Sequence, residues 1–566
     1  MVRTKFLLIG FFSIFLLIQT PKALAYDFKE NTPVPINGFR NPYNLTENQL
    51  KKSIYQGRLY ALNYPVTVTG LLIPLKPVES FFKSPEEELD PLKRFLKKMG
   101  GSYLKMNSID DLMNWLGLHS YPEKYIDDPI YGVPYKGDSP PKYRMGFTVV
   151  EKHGAKAFTI SCAVCHSHNL FGKKIIGLTN RFPRANNFFV MGKNALSIAP
   201  TSIFKWLTSA SPSETKIYQD TKENIQSVGA KAPIQLGLDT SLAHVSLSLA
   251  RRRDDPYATK DYWSYTEPYE EPLAWKPSES KPGVWWNVKY KNKWLLDGSV
   301  VSGNPILTNI LWNEIGRGSD LRELENWMDN NVEIIRDLTN AVYHNEAPSF
   351  SDFFPAENHF KWNSLLNGQK IFNNLCSKCH GKYEKNWDLP QSDQLSFLER
   401  IKTNKVIMPE ITKVIDVGTD PHRYRAMNSL VQLNQLAISR NNGIQIQTQK
   451  GYVPPPLVGI WARWPYLHNN SIPNLCVLLT PSKKRPKTYW AGDAIDTARD
   501  FDSTCNGYPL GSKTPREWKL HKEKFFDSRR SGMRNYGHDE RIFIKNGKNL
   551  LSNQDRIDLI QFLQTL

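Results

Sequence analysis

Apolar residues fall at helical spacing in three places along the chain. The clearest is the end, where Ile557, Leu559, Ile560, Leu563 and Leu566 share one face. There Ser552 and Asp555 form a capping box that opens the helix. The stretch from Phe360 through Ile371-Phe372 predicts a second helix, leading into Cys376. Around Pro85 to Met99, the recurrence of Leu89, Leu92, Phe95 and Leu96 predicts a third. Phe6 to Ile18 differs in kind, being almost wholly apolar. It follows the basic start Met1-Val-Arg-Thr-Lys5 and precedes Ala23-Leu-Ala25, so residues 1–25 read as a secretory signal peptide. Its apolar core is short for a bilayer span, and no later segment approaches the length required. No stable membrane span is therefore expected after signal cleavage. The expected fold is mainly α, with long loops and little β structure.

The pattern also repeats. Placed without gaps, Pro282 falls on Pro454, Val288 on Ile460, Trp294 on Tyr466, Leu295 on Leu467 and Ser299 on Ser471. Leu296 of the first copy corresponds to His468 of the second.

Each copy follows a C-x-x-C-H pentapeptide: Cys162-Ala-Val-Cys165-His166 and Cys376-Ser-Lys-Cys379-His380. This spacing is the attachment signature of a c-type haem. Two thiols add to adjacent vinyl groups, and the next residue turns back as the proximal iron ligand. A zinc site or a dithiol redox pair would use the same C-x-x-C. Zinc needs further ligands close by, which His168 could supply beside His166 but nothing comparable supplies beside His380. A dithiol needs no histidine after both pairs. Two covalently bound haem c groups are expected, with Cys162, Cys165, Cys376 and Cys379 as attachment points and His166 and His380 as ligands.

Two of the six cysteines remain, Cys476 and Cys505. In an oxidising compartment they are expected to pair, against the alternative of two separate thiols. The expected organisation is a signal peptide at 1–25, a cover region at 26–145, a first haem domain at 146–345 and a second at 346–566. The formal charge is +18, of which Arg3, Lys5 and Lys22 in the leader contribute three. The basic residues are dispersed and the chain reads as periplasmic or secreted, so nucleic acid is not expected as a partner. The charge keeps the surface soluble and can steer acidic partners.

The stretch Pro456-Leu-Val-Gly-Ile-Trp461-Ala-Arg-Trp-Pro465-Tyr-Leu-His468-Asn-Asn-Ser471 resembles the signature segment of bacterial dihaem cytochrome c peroxidases and their relatives. Gly418-Thr-Asp-Pro421, Arg485-Pro-Lys-Thr-Tyr489 and Asn535-Tyr-Gly-His538 resemble features of the dihaem rubber oxygenase branch. The resemblance runs over about 370 to 566, is looser around the first motif and Trp285 to Ser299, and is absent before about 140. It implies two cytochrome c-like haem domains. One haem, histidine-ligated on both faces, relays electrons. The other, with an open face, takes a small oxidant, dioxygen or peroxide. It implies His538 as the second ligand of the haem at His380. His468 and Met408, which lies 28 residues after His380, are rivals. His168 lies too near His166 in the chain to reach the opposite face readily. Trp285 and Trp286 are candidates for an electron relay or an apolar pocket, against plain core packing.

Three readings follow. The first is an exported haem redox enzyme, oxygenase-like or peroxidase-like, acting on an unidentified substrate or electron donor. The second is a dihaem electron-transfer protein with no substrate of its own. The third is a haem-containing maturation enzyme acting on a partner protein.

Overall fold

The computed structural model describes residues 28–82 and 88–566. The leader at 1–25 and the start of the third predicted helix lie outside them. Helix dominates, at 44% against 11% strand in small sheets.

Seven helices and six strands position the site. Helix α1 (Glu47–Leu62) begins at a capping box between Thr46 and Gln49. Helix α2 (Pro91–Leu104) starts at Asp90, whose carboxylate accepts from the amides of Leu92 and Lys93. The predicted helix in this region thus begins at Asp90, where a capping acid precedes a proline suited to the first turn. Its Leu92, Phe95 and Met99 are exposed. Strands β1 (Phe147–Lys152) and β2 (Ala155–Ile160) form an antiparallel hairpin that leads into Cys162. Strands β3 (Ser167–Leu170) and β4 (Lys173–Ile176) pair immediately after His166. Helices α3 (Ser241–Leu249), α4 (Pro305–Arg317) and α5 (Val332–Tyr343) complete the surroundings of the first motif. Helix α1 lies tight on α5: a Cβ at Gly57 would stand 1.9 Å from the Asp337 carbonyl oxygen. Ser53 donates to the Asp337 carboxylate beside that crossing, at 2.6 Å.

The second motif ends α6 (Trp362–Leu375), which runs into Cys376. It is followed by a hairpin of β5 (Lys382–Lys385) and β6 (Thr403–Ile407). Helix α7 (Asn553–Gln564) opens on the capping box of Ser552 and Asp555 and buries Leu559, Ile560, Phe562 and Leu563. It crosses α6 at Gly368, where a Cβ would fall 2.2 Å from the Asp558 carbonyl oxygen. Only glycine allows that approach.

One large apolar cluster surrounds Cys376 and contains Phe372, Tyr383, Trp461 and Phe562. A second surrounds Cys162 and contains Trp285, Trp294, Leu311 and Tyr343. Met427, Leu430, Leu433 and Ile438 belong to this second cluster although they follow the second motif in sequence. Cys165 borders a third, built on Phe147, Phe158 and Phe188. Cys476 and Cys505 are joined in a disulfide spanning 29 residues. Among the described residues, no helix is long and apolar enough to cross a membrane.

Candidate functional site

The repeat read from sequence is a repeat in space. Trp294 bridges to Val300, and Tyr466 bridges to Ile472 at the equivalent place. Leu295 and Leu467 both take the left-handed backbone conformation, at φ 68° and 62°. A leucine there is strained, and the strain recurs in both copies. Asp297 accepts from the Ser299 amide at 3.0 Å, and Asn469 from the Ser471 amide at 3.2 Å. The copies also clasp each other. Val453 donates its amide to the Leu296 carbonyl at 2.8 Å, and Lys281 donates its amide to the His468 carbonyl at 2.7 Å. Since 281 corresponds to 453 and 296 to 468, the exchange is reciprocal.

Around the second motif, the His380 Nδ1 lies 2.9 Å from the Pro455 carbonyl oxygen, which fixes the ring and leaves Nε2 free. The His538 ring faces it, with ring centres 6.2 Å apart. Two imidazoles bound to opposite sides of one metal, at about 2 Å each, place their ring centres roughly 6 Å apart. Burial and the nearby His380 push His538 down to about 3, so it stays a neutral donor. Its Nδ1 has no partner.

The three segments singled out in the resemblance converge here. The Cα of Gly537 packs on Gly418, where a Cβ would fall 2.4 Å from the Gly418 carbonyl carbon. Arg485 donates to the carbonyls of Asn535 and Gly537 at 2.7 and 2.9 Å. The amide of His538 donates to Val417. Met408 sits elsewhere: its sulfur lies against Gly381, on the same stretch as His380. His468 is stacked on Tyr452 at 4.2 Å, with Nε2 3.0 Å from the Tyr452 hydroxyl. That hydroxyl donates onward to the Asp420 carbonyl.

Around the first motif, burial drives His166 down to about 4 and raises both Cys162 and Cys165. The His166 Nδ1 lacks a well-formed hydrogen bond, though the backbone of Gly283, the equivalent of Pro455, acts on the ring. The ring that approaches His166 is the indole of Trp285, at 5.6 Å. Among the described residues no imidazole faces it as His538 faces His380. His168 is turned toward His119, with His168 Nδ1 and His119 Nε2 3.1 Å apart. Trp286 is fully buried and donates through Nε1 to the Val458 carbonyl at 2.9 Å. A cleft of about 420 Å³ lies beside it, lined by Tyr290, Phe350, Phe360 and Val458.

Among the described residues, four desolvated cations have no carboxylate in ion-pair reach. Burial lowers Arg181 and Arg463 to about 10, Lys291 to about 8 and Lys281 well below its ordinary value. Lys291 and Arg463 occupy equivalent positions in the two copies. Buried cations without counter-ions are costly, and the propionates of two haems would offset that cost. The donor set therefore fits the group: paired thiols, neutral imidazoles and waiting cations. The ungapped alignment of the copies already carries the Lys291–Arg463 correspondence, but their burial could not be read from it. The Pro455 carbonyl is backbone and leaves no signal of its own in the sequence.

The chain is 39% identical over 101 residues to the uncharacterised protein y4iJ of Sinorhizobium fredii (strain NBRC 101917 / NGR234), covering 18% of this chain and 15% of that protein. It is 36% identical over 100 residues to the uncharacterised protein y4iM of the same organism, covering 17% of this chain and 21% of that protein. The chain thus matches about a fifth or less of the length of these curated relatives. The segment holding the second copy of the repeat, residues 451–491, matches the family described as RoxA-like, cytochrome c-like, and the chain carries a cytochrome c-like segment of that kind.

Proposed function

We propose that this protein is an exported dihaem c-type cytochrome acting as a haem-dependent oxidoreductase. Its second haem relays electrons and its first takes dioxygen or peroxide. The observation that carries this reading is the inequality of the two motifs. His380 faces a neutral imidazole at 6.2 Å, whereas the ring nearest His166 is an indole. An iron held on both sides by imidazole has no place for an oxidant, and one held on a single side does.

Haem c, when bound, supplies one-electron iron chemistry and a site for a diatomic ligand or peroxide. The chain's own residues do the rest. Pro455 orients His380, and Arg485 holds the loop that carries His538. Lys291 and Arg463 would offer positive charge to haem propionates. Trp285 packs on His166, and its chain neighbour Trp286 donates to the Val458 carbonyl of the segment that orients His380. The apolar cluster around Cys162 excludes water from the first haem, which suits an oxygenase acting on an apolar substrate. The RoxA-like segment at 451–491 supports the wider haem-dependent oxidoreductase reading.

Electron paramagnetic resonance and optical spectra of the purified holoprotein test the scheme, recorded with and without each oxidant. The expected result is one low-spin iron that ignores oxidants beside one iron that responds to them. Two low-spin, six-coordinate irons inert to both oxidants would leave the electron-carrier reading in its place. Turnover of polyisoprene against peroxide with a reduced cytochrome then separates the branches.

A further inference from the structure

Helix α2 turns apolar side chains outward and keeps charged ones in. Leu92, Phe95 and Met99 recur at three- and four-residue spacing, so they share one face. All three are more than half exposed, and Leu89, just before the helix, is 91% exposed. The other side of α2 meets the protein. Lys97 is buried there and pairs with Glu88 at 2.8 Å. Gly100 presses on Phe81, where a Cβ would fall 2.4 Å from the ring. Lys93 donates to the Ser209 hydroxyl at 3.5 Å and stands over the Trp206 ring. These contacts fix the rotation of the helix. A surface helix ordinarily buries its apolar stripe, and this one leaves it uncovered.

The neighbouring helix Thr201–Thr208 adds to the exposed apolar surface. Its Ile203 and Trp206, three residues apart, are exposed, as is Ile198 before it. Cations flank both helices. Arg94 and Lys98 follow one edge of the apolar row on α2, Lys205 precedes Trp206, and all three are exposed. Of the acids close by, Glu88 is held by Lys97, and Asp90 accepts from the amides of Leu92 and Lys93. Glu86 and Glu87 lie outside the described residues.

An apolar row edged by cations, with an exposed indole nearby, suits the interface of an anionic bilayer. Apolar side chains enter the boundary of headgroups and acyl chains, long basic side chains reach the phosphates, and tryptophan favours the headgroup level. With 14 residues α2 is too short to span, so it would lie in the plane of the surface. A second copy of the chain seated here would set the same cations against each other. An uncharged apolar surface would leave them without counter-charge. The chain's overall excess of basic residues adds to the attraction.

We propose that α2, with Ile203 and Trp206 beside it, is the contact by which the mature protein holds to the surface of an anionic phospholipid bilayer. The helix precedes the stretch that resembles haem proteins, and its contact with lipid is separate from the redox chemistry.

The test is flotation of the mature holoprotein, its leader removed, with two sets of vesicles. One set mixes phosphatidylglycerol with phosphatidylethanolamine, and the other is phosphatidylcholine alone. Tighter binding is expected to the first set, and it should weaken as salt is raised. The Leu92→Gln/Phe95→Gln/Met99→Gln variant should bind the first set about tenfold less tightly, as should Lys98→Glu/Lys205→Glu. Each substituted side chain is exposed, so haem spectra and melting temperature should stay those of the parent. Lost binding is thereby told apart from lost folding. A parent that floats with neither set overturns the proposal, and so does a triple variant that binds as the parent does. Equal binding to both sets at every salt concentration overturns it too, since the cations would then have no part. Sedimentation equilibrium in which the parent self-associates and the triple variant does not, with vesicles capturing neither, gives the face to a second copy and overturns the lipid contact.

Discussion

The indole of Trp286 donates to the carbonyl of Val458 at 2.9 Å, and these two residues hold equivalent positions in the two copies of the repeat. The contact therefore lies where the copies meet. Trp285, its neighbour in sequence, packs on His166, while Val458 lies three residues beyond the carbonyl that orients His380. Trp286→Phe keeps most of the apolar contact but removes a hydrogen bond to a half-buried carbonyl, at about 1 kcal/mol. Chemical denaturation should show that loss. Flash reduction should show slower electron exchange between the haems. Unchanged exchange would leave Trp286 a packing residue.

His538→Ala should convert only the second haem. Its low-spin signal is expected to give way to a high-spin or water-ligated one, while the first haem keeps its spectrum. Retention of the low-spin signal would mean that another residue binds that iron.

Arg463, whose charge reaches His380, should raise the potential of the second haem, because a nearby positive charge favours the reduced iron. Arg463→Met should lower that midpoint potential. Since burial lowers Lys291 to about 8 and Lys291 feels Arg463, the same potential should also drop as pH rises through that value. Redox titration across pH 7 to 9 reads both effects.

Burial holds His244 at about 4 and His468 at about 3. In the unfolded chain each titrates near 6.5. Between those values the unfolded chain binds the extra protons, so stability is complete above about pH 6.5 and is lost as pH falls toward the folded values. By pH 5 each histidine should cost about 2 kcal/mol. The melting temperature should fall from pH 7 to pH 5, and His244→Gln should shallow the slope. A melting temperature that rises on acidification would contradict the assignment.

The Cys476–Cys505 disulfide closes a loop of 29 residues. Loop-closure entropy sets its contribution at about 3.5 kcal/mol. Replacing both cysteines with serine should lower the denaturant midpoint accordingly and leave the haem spectra unchanged.

What could be read from the sequence was local or periodic. The last helix showed itself through its capping box and its apolar face, and the repeat through residues that keep their spacing. Residues 427–438 illustrate what could not be read. They follow the second motif, yet their side chains complete the cluster around Cys162, a placement fixed by long-range packing. The meeting of Gly418 with Gly537 is of the same kind, since segments more than a hundred residues apart leave no shared pattern. Met408 carries a ligand-like spacing from His380, but the β5–β6 turn returns it to Gly381. Spacing along the chain gives no measure of direction in space.

The reciprocal amide-to-carbonyl exchange at Leu296/Val453 and His468/Lys281 gives the two copies of the repeat the pairing of a two-fold contact within a single chain. In such an isologous contact, each unit offers the group that the other lacks. Either half made alone would keep one donor and one acceptor of that clasp and lack their mates. A second copy of the same half could supply both.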